Sequence, residues 1–344
     1  MLENCAAALP ESALKARVLA SLAMELTYEW RSVVADEVST AAVALARTVG
    51  DAELLVDVAS LRMLVLWGRP GSAQERLALA AEVRALPLTL EQGLYTRFIA
   101  AAAHLQLGAG DAADTEMIRC VELARRLRHT GADVPIAWWH FYRAIAANDR
   151  ERATKLVADA VELHDRSQLV AQPESGPIAA ARPAGEGVPV PGEWVELART
   201  NANPTFRAFI GHVLAEAGRV EEGMAVLGDP VPDGAWDYSP VVGDCLRVDV
   251  LAHGGPSPEL RRVLDRIAPW GHEFAVYGSI DFLGSIDYFV GRGREGFGEM
   301  DAAAAAYRRA VERNRAAGVV PWLHRAERRL SARLGKFQGS RSPG

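Results

Sequence analysis

Cysteine is scarce in this chain: Cys5, Cys120 and Cys245 stand far apart, odd in number and with no CxxC spacing. That excludes a disulfide framework or a thiolate zinc cage and fits a reducing compartment. Cys120 and Cys245 sit in apolar-periodic surroundings, where a buried and inert thiol is expected. Aromatics are also few, 7% against an apolar fraction of 49%. Alanine and leucine therefore carry the apolar content, which favours helix over sheet. No apolar run approaches the ~20 residues of a membrane helix. The opening MLENCAAALPES lacks a basic region followed by an apolar one, so no signal peptide is read there. The expectation is a soluble, cytoplasmic protein with no membrane partner.

Catalytic and cofactor motifs are missing as well. The eight histidines contain no i, i+4 pair, and GHEF at 271–274 is not completed to HExxH, so no metal is expected. GRPGSAQ (68–74) and GRGREGFG (291–298) lack the lysine of a phosphate loop. There is no G-x-S-x-G elbow and no Cys beside a His. No cofactor and no catalytic residue are assigned, although a site assembled across helices is invisible to sequence spacing. The formal charge of −6 removes a nucleic-acid footprint from the chain as a whole. Arg292 to Arg341 differs, with twelve Lys/Arg against five Asp/Glu, net +7, leaving −13 elsewhere. A solvated helix face is the plainer account of that basic end, and an anionic partner the sharper one.

What is present is a rhythm of helical segments. Leu14, Val18, Leu22 and Leu26 recur four apart in ESALKARVLASLAMELTYEW, one stripe of a helix. VADEVSTAAVALARTVGD follows, with Gly50 as C-cap and Asp51 as the next N-cap. Further pairs are read at 52–68 with 72–86, 89–110 with 111–129, and 133–150 with 151–166. Each pair takes about 35 to 42 residues, the period of stacked antiparallel helical hairpins. The rhythm breaks over 167–193, where prolines 173, 177, 183, 189 and 191 exclude a long helix and leave a linker or a lid. It resumes with a hairpin turning at Gly218 and Arg219, then with a helix ending at Gly254 and Gly255. Ser257 with Pro258 starts the next helix. The last pair is read over 277–318, its first helix weakened by glycines 291, 293, 296 and 298, and a closing helix starts at Pro321. At 344 residues two domains or one extended array are expected, and the regular period selects a single repeat domain of four hairpins (11–166), an interruption (167–193) and three more with the closing helix (194–335).

The segments AGRVEEGMAVL and FGEMDAAAAAYRRAVERN resemble the turn and second helix of tetratricopeptide repeats, with Gly298, Asp301, Ala303, Tyr307 and Ala310 matching the pattern. The order of LAMELTYEW, LRMLVLWG and the stretch from Ile286 to Gly335 is similar to the C-terminal helical-repeat region of large actinobacterial ATPase regulators, of the LuxR-like and adenylate-cyclase-associated types. The resemblance implies an all-α fold, a right-handed α-solenoid of about seven hairpins, and a sensing or docking role in regulation, connected with secondary metabolism. The ATPase module and DNA reader of such regulators have no counterpart here.

In such an array the first helix of each pair lines the concave surface, so its polar and aromatic residues are the candidate site. Trp138, Trp139, His140, Tyr142 and Arg143 lie in WWHFYR, a run covering every direction of a helix, so at least one side chain must leave the core. A Trp/Tyr-lined groove with His and Arg suits stacking on a planar or sugar-like ligand; core packing is the alternative. Glu25 and Glu29 share a helix face, beside Tyr28 and Trp30. Asp281 is read as a helix-start cap and Asp287 as facing the groove. Both are expected to pair with arginines of first helices, Arg62, Arg97, Arg143, Arg207 or Arg247, which alternatively clamp an anionic ligand group.

The leading expectation is a non-enzymatic module that binds a protein segment or a small-molecule effector in its concave groove, with homodimerisation left open. The alternative is a repeat-scaffold enzyme of secondary metabolism that rearranges or cyclises a bulky apolar substrate around Trp138, Trp139, His140, Glu25 and Asp287 under a lid at 171–192. A third reading is a regulator remnant that has lost its ATPase half.

Overall fold

Short polar side chains in this chain stop and restart the backbone, and the helices follow them. In a computed structural model, residues 2–167, 190–201, 203–229, 240–277 and 281–339 are described. The interruption read at 167–193 falls almost wholly outside them. Contacts gather the chain into two units, residues 1–132 with 231–240, and residues 133–230 with 241–344. No described helix is long and apolar enough to cross a membrane.

The first unit holds α1 (Leu2–Ala8), α2 (Ala13–Tyr28), α3 (Ser32–Val49), α4 (Ala52–Val65), α5 (Ala73–Arg84), α6 (Leu90–Gln106) and α7 (Gly110–Leu127). Gly50 ends α3 at φ 74°, a left-handed value that an L side chain rarely adopts, and Asp51 caps α4 by accepting from the Leu54 amide. Thr89 and Gln92 form a reciprocal capping box at the start of α6. Successive helices pack on one another, most extensively α2 on α3, α3 on α4, α5 on α6 and α6 on α7. Their shared core includes Leu54, Val58, Met63, Leu66 and Leu79. The expected stripe holds in part: Leu22 and Leu26 are buried, but Leu14 is 57% exposed, and Ala16, Ala20 and Ala23 complete the buried face of α2. Small side chains let α2 lie close to α3 and α4, so the alanines rather than the leading leucine mark the buried stripe.

The second unit holds most of α8 (Thr130–Ala146), then α9 (Arg150–Ser167), α10 (Gly192–Thr200), α11 (Pro204–Glu216), α12 (Val220–Val226), α13 (Pro240–Leu251), α14 (Pro258–Ile267), α15 (Ile286–Gly296), α16 (Met300–Ala316) and α17 (Val320–Gly339). The turn at Gly218 and the Ser257 cap stand where the sequence places them. The stretch from Tyr277 does not, because it is not a helix throughout. Phe274–Tyr277 (β1) and Asp281–Ser285 (β2) pair antiparallel, and α15 begins only at Ile286. The fold remains predominantly helical, with this one small sheet among the described residues. Stacked Phe274 and Phe282 rings, 5.3 Å apart, tie the two strands together. The cap of α15 is Ser285, whose hydroxyl accepts from the Asp287 amide, and not Asp281.

The glycines of α15 serve close packing. A Cβ on Gly291 would lie 2.6 Å from the Tyr307 ring of α16, and one on Gly293 would lie 2.8 Å from Leu264 of α14. In an exposed helix, Gly→Ala gains up to ~1 kcal/mol. Here overpacking costs about 1–3 kcal/mol and prevails. Gly291→Ala is therefore expected to lower the urea midpoint, and a raised midpoint would show that α15 and α16 separate freely.

Candidate functional site

Three of the arginines expected on first helices, Arg62, Arg97 and Arg247, are held by carboxylates of the helix that follows. Arg62, in the last turn of α4, donates from Nε to Glu75 Oε1 at 3.1 Å, in the first turn of α5. Arg247 of α13 reaches Glu259 of α14 at 2.6 Å, and Arg97 of α6 reaches Glu116 of α7 at 2.7 Å. A carboxylate at a helix start and a cation at a helix end each complement the helix dipole. A second set of bonds joins one hairpin to the next. Arg47 pairs with Glu82, 35 residues on, and Arg84 with Glu116, 32 residues on.

Between α3 and α5 of the first unit these bonds frame a cleft of about 200 Å³. Thr40, Val43 and Arg47 face it from α3, Ala78, Leu79 and Glu82 from α5, with the Arg62–Glu75 pair at one end. Positions 40, 43 and 47, and 75, 78, 79 and 82, each fall on one helical face, so both helices present a continuous wall. Arg62 is 6% exposed and fully engaged. Besides Glu75 it meets Asp36 Oδ1 at 3.1 Å and Ser39 Oγ at 2.7 Å. The other end is open: Arg47 Nε and Nη2 donate to the two Glu82 oxygens at 2.9 and 2.7 Å, with the two side chains 50% and 34% exposed. That hydrogen bond raises the Arg47 pKa and lowers that of Glu82. Both groups stay charged across the physiological range.

The second unit contains a buried polar network. His212 of α11 meets Asp249 Oδ2 of α13 at 2.9 Å through Nδ1, and Arg292 of α15 grips Asp249 Oδ1 through Nε. Burial alone pushes the Asp249 carboxyl up, but the Arg292 charge and the His212 bond outweigh it and hold it well below the usual carboxylate range. Tyr307 donates to Glu295 at 2.6 Å, and Arg325 lies 2.8 Å from Glu216. Trp322 stacks against His212 on one side, at 6.3 Å between ring centroids, and receives the Arg325 guanidinium at 4.7 Å. His212, Glu216 and Asp249 offer ligand atoms within 4.8 Å of one another. Their spacing suits a cation but their charge does not, because Arg292 and Arg325 already neutralise both carboxylates.

The residues expected to line a groove are distributed differently. Trp138, Trp139 and Tyr142 are buried, at 1%, 3% and 1%, while His140 is the exposed member of the run. Trp139 and Tyr142 meet edge to face at 5.6 Å, and Tyr142 approaches Phe282 of β2 at 6.2 Å. Arg143 is half-buried, and Glu25 and Tyr28 are exposed on α2, Tyr28 at 62%. Asp287 corrects its expectation. It is 2% exposed and accepts from Arg309 at 2.7 Å and from Arg313 at 3.3 Å, both on α16, rather than pairing with a first-helix arginine. Arg207 donates to the Asn201 carbonyl at 2.5 Å. The Asp281 side chain lies outside the described part of the structure. Cys120 and Cys245 are buried as expected; burial pushes the Cys120 thiol up to about 12.

The sequence reading missed Arg47, Glu82 and the His212–Asp249–Arg292 network. Their signal was the repeat length itself, since Arg47–Glu82 and His212–Asp249 stand 35 and 37 residues apart. No protein-family model matches the chain, and neither does any curated protein.

Proposed function

We propose that this chain is a non-enzymatic sensor module, a tetratricopeptide-like α-solenoid that holds a small effector or a protein segment and acts in regulation. The observation that carries the reading is the cleft between α3 and α5, an aliphatic floor ended by two Arg–Glu pairs. A general acid or base works best with a pKa near the operating pH. Glu82 is shifted the other way, and Arg47 is shifted up, so this end of the cleft is built to present fixed charges. Fixed charges at an open rim recognise a ligand; they do not move protons. Antiparallel hairpins whose side chains bond one repeat further along support the solenoid, because stacked neighbours bury the face a lone hairpin leaves exposed.

The test is a thermal-shift panel of metabolites and peptides on the wild type and on Arg47→Gln. The expected result is a stabilising compound whose effect disappears in the variant while the melting temperature of the free protein is unchanged. Compounds that stabilise both proteins equally would place recognition away from this cleft and overturn the reading.

A further inference from the structure

We propose that the cleft between α3 and α5 binds a free α-amino acid with an aliphatic side chain, its two head-group charges held by Arg47 and Glu82. The inference rests on the sensor reading and names the chemistry of that site.

The cleft's two ends differ in kind. At the Arg62 end every guanidinium nitrogen is engaged, by Glu75, Asp36 or Ser39, and the side chain is buried. That end is a wall. At the Arg47 end each partner has capacity left. Arg47 spends Nε and Nη2 on Glu82, and among the described residues Nη1 has no hydrogen-bond partner. Each Glu82 oxygen accepts one hydrogen bond there, and a carboxylate oxygen offers about two lone-pair sites. An incoming carboxylate adds to Arg47 Nη1 and an incoming ammonium to Glu82, without breaking the existing pair.

Charge balance then selects the ligand. The pair is neutral, so an anion or a cation alone leaves one uncompensated charge at a partly buried rim. A zwitterion leaves none. Its opposite charges must also be close together, because Arg47 and Glu82 are in contact at 2.7 Å. An α-amino acid carries both on one carbon. Behind the pair, Val43, Ala78 and Leu79 offer an apolar floor for its side chain. The Arg62–Glu75 end lies seven residues along each helix, about 10 Å away at 1.5 Å per residue. A volume of about 200 Å³ falls below the range for drug-sized ligands, ~300–1,000 Å³, and suits a small metabolite.

Isothermal titration of the full chain with L-leucine tests this. Saturable binding is expected, weakened about tenfold or more by removal of either head-group charge, in N-acetyl-L-leucine or L-leucine methyl ester. Arg47→Gln and Glu82→Gln are each expected to weaken binding to a similar degree. Both side chains sit at the open rim, so the melting temperature should hold, and circular dichroism confirms that the variants are folded. Blocked analogues binding as well as leucine would overturn the proposal, as would no saturable heat at millimolar leucine. If leucine fails while another compound still depends on Arg47 in the thermal-shift panel, the amino-acid inference falls and the sensor reading stands. If no compound depends on Arg47, both fall.

Discussion

Replacing Asp249 with alanine is expected to cost about 3–5 kcal/mol, because it strips the nearest carboxylate from a buried guanidinium and leaves only Glu295, 3.5 Å away. Arg292 is 3% exposed, and its charge has nowhere to be rehydrated without opening the second unit. Domain stabilities are only ~5–15 kcal/mol, so this loss is a large share of the total. The same change also releases His212 from its Nδ1 partner. An Asp249→Leu/Arg292→Met double variant, which removes both charges together, should recover much of the loss. Urea denaturation of the wild type, Asp249→Leu, Arg292→Met and the double variant measures the coupling. A single-variant penalty below ~1 kcal/mol would mean that the pair is solvated in solution. The pH dependence has a defined sign. The folded-state pKa of Asp249 lies well below its ordinary value, so its stabilisation is complete above an unfolded value of about 3.9 and is lost as pH falls through the lower folded value. The Asp249 carboxylate therefore stays charged, and its own stabilisation is present, through neutral and mildly acidic pH.

Trp138→Ala is expected to destabilise by about 3–5 kcal/mol, the cost of an indole-sized cavity. At 1% exposure, with the Phe141 ring 5.7 Å away, Trp138 is a packing residue. His140→Ala, two positions on and exposed, is expected to change stability by no more than ~0.5 kcal/mol. The contrast matters for any binding experiment on WWHFYR. A Trp138 variant that loses a ligand reports unfolding as readily as a lost contact, whereas a variant at the exposed His140 leaves no core cavity. Equal melting temperatures for the two variants would show that the helix packs differently from the way described.

Helix ends were the most legible part of this fold. Gly50 with Asp51, Gly218, and Ser257 with Pro258 fix turns through local backbone chemistry, and the structure turns there. The β1–β2 hairpin was not legible. FAVY and DFLGS are short apolar runs that a helix and a buried strand share equally, and only the stacking of Phe274 on Phe282 and the cap at Ser285 decide between them. Site residues fared worse for a related reason. First-helix arginines stood out in the sequence, but whether Arg62 serves a ligand or Glu75 depends on a carboxylate thirteen residues away in the next helix. Arg47 and Glu82 are unremarkable in their own helices and meet only through a tertiary contact between α3 and α5.

The pairs Arg62–Glu75, Arg247–Glu259 and Arg294–Glu299 bear on how the chain reaches its fold. Each closes a loop of only 13, 12 or 5 residues between neighbouring helices. Loop closure over such spans carries a small entropic cost, and proteins rich in local contacts fold quickly. Such ion pairs can form as soon as two neighbouring helices meet, whereas Arg47–Glu82 and His212–Asp249 must close spans of 35 and 37 residues.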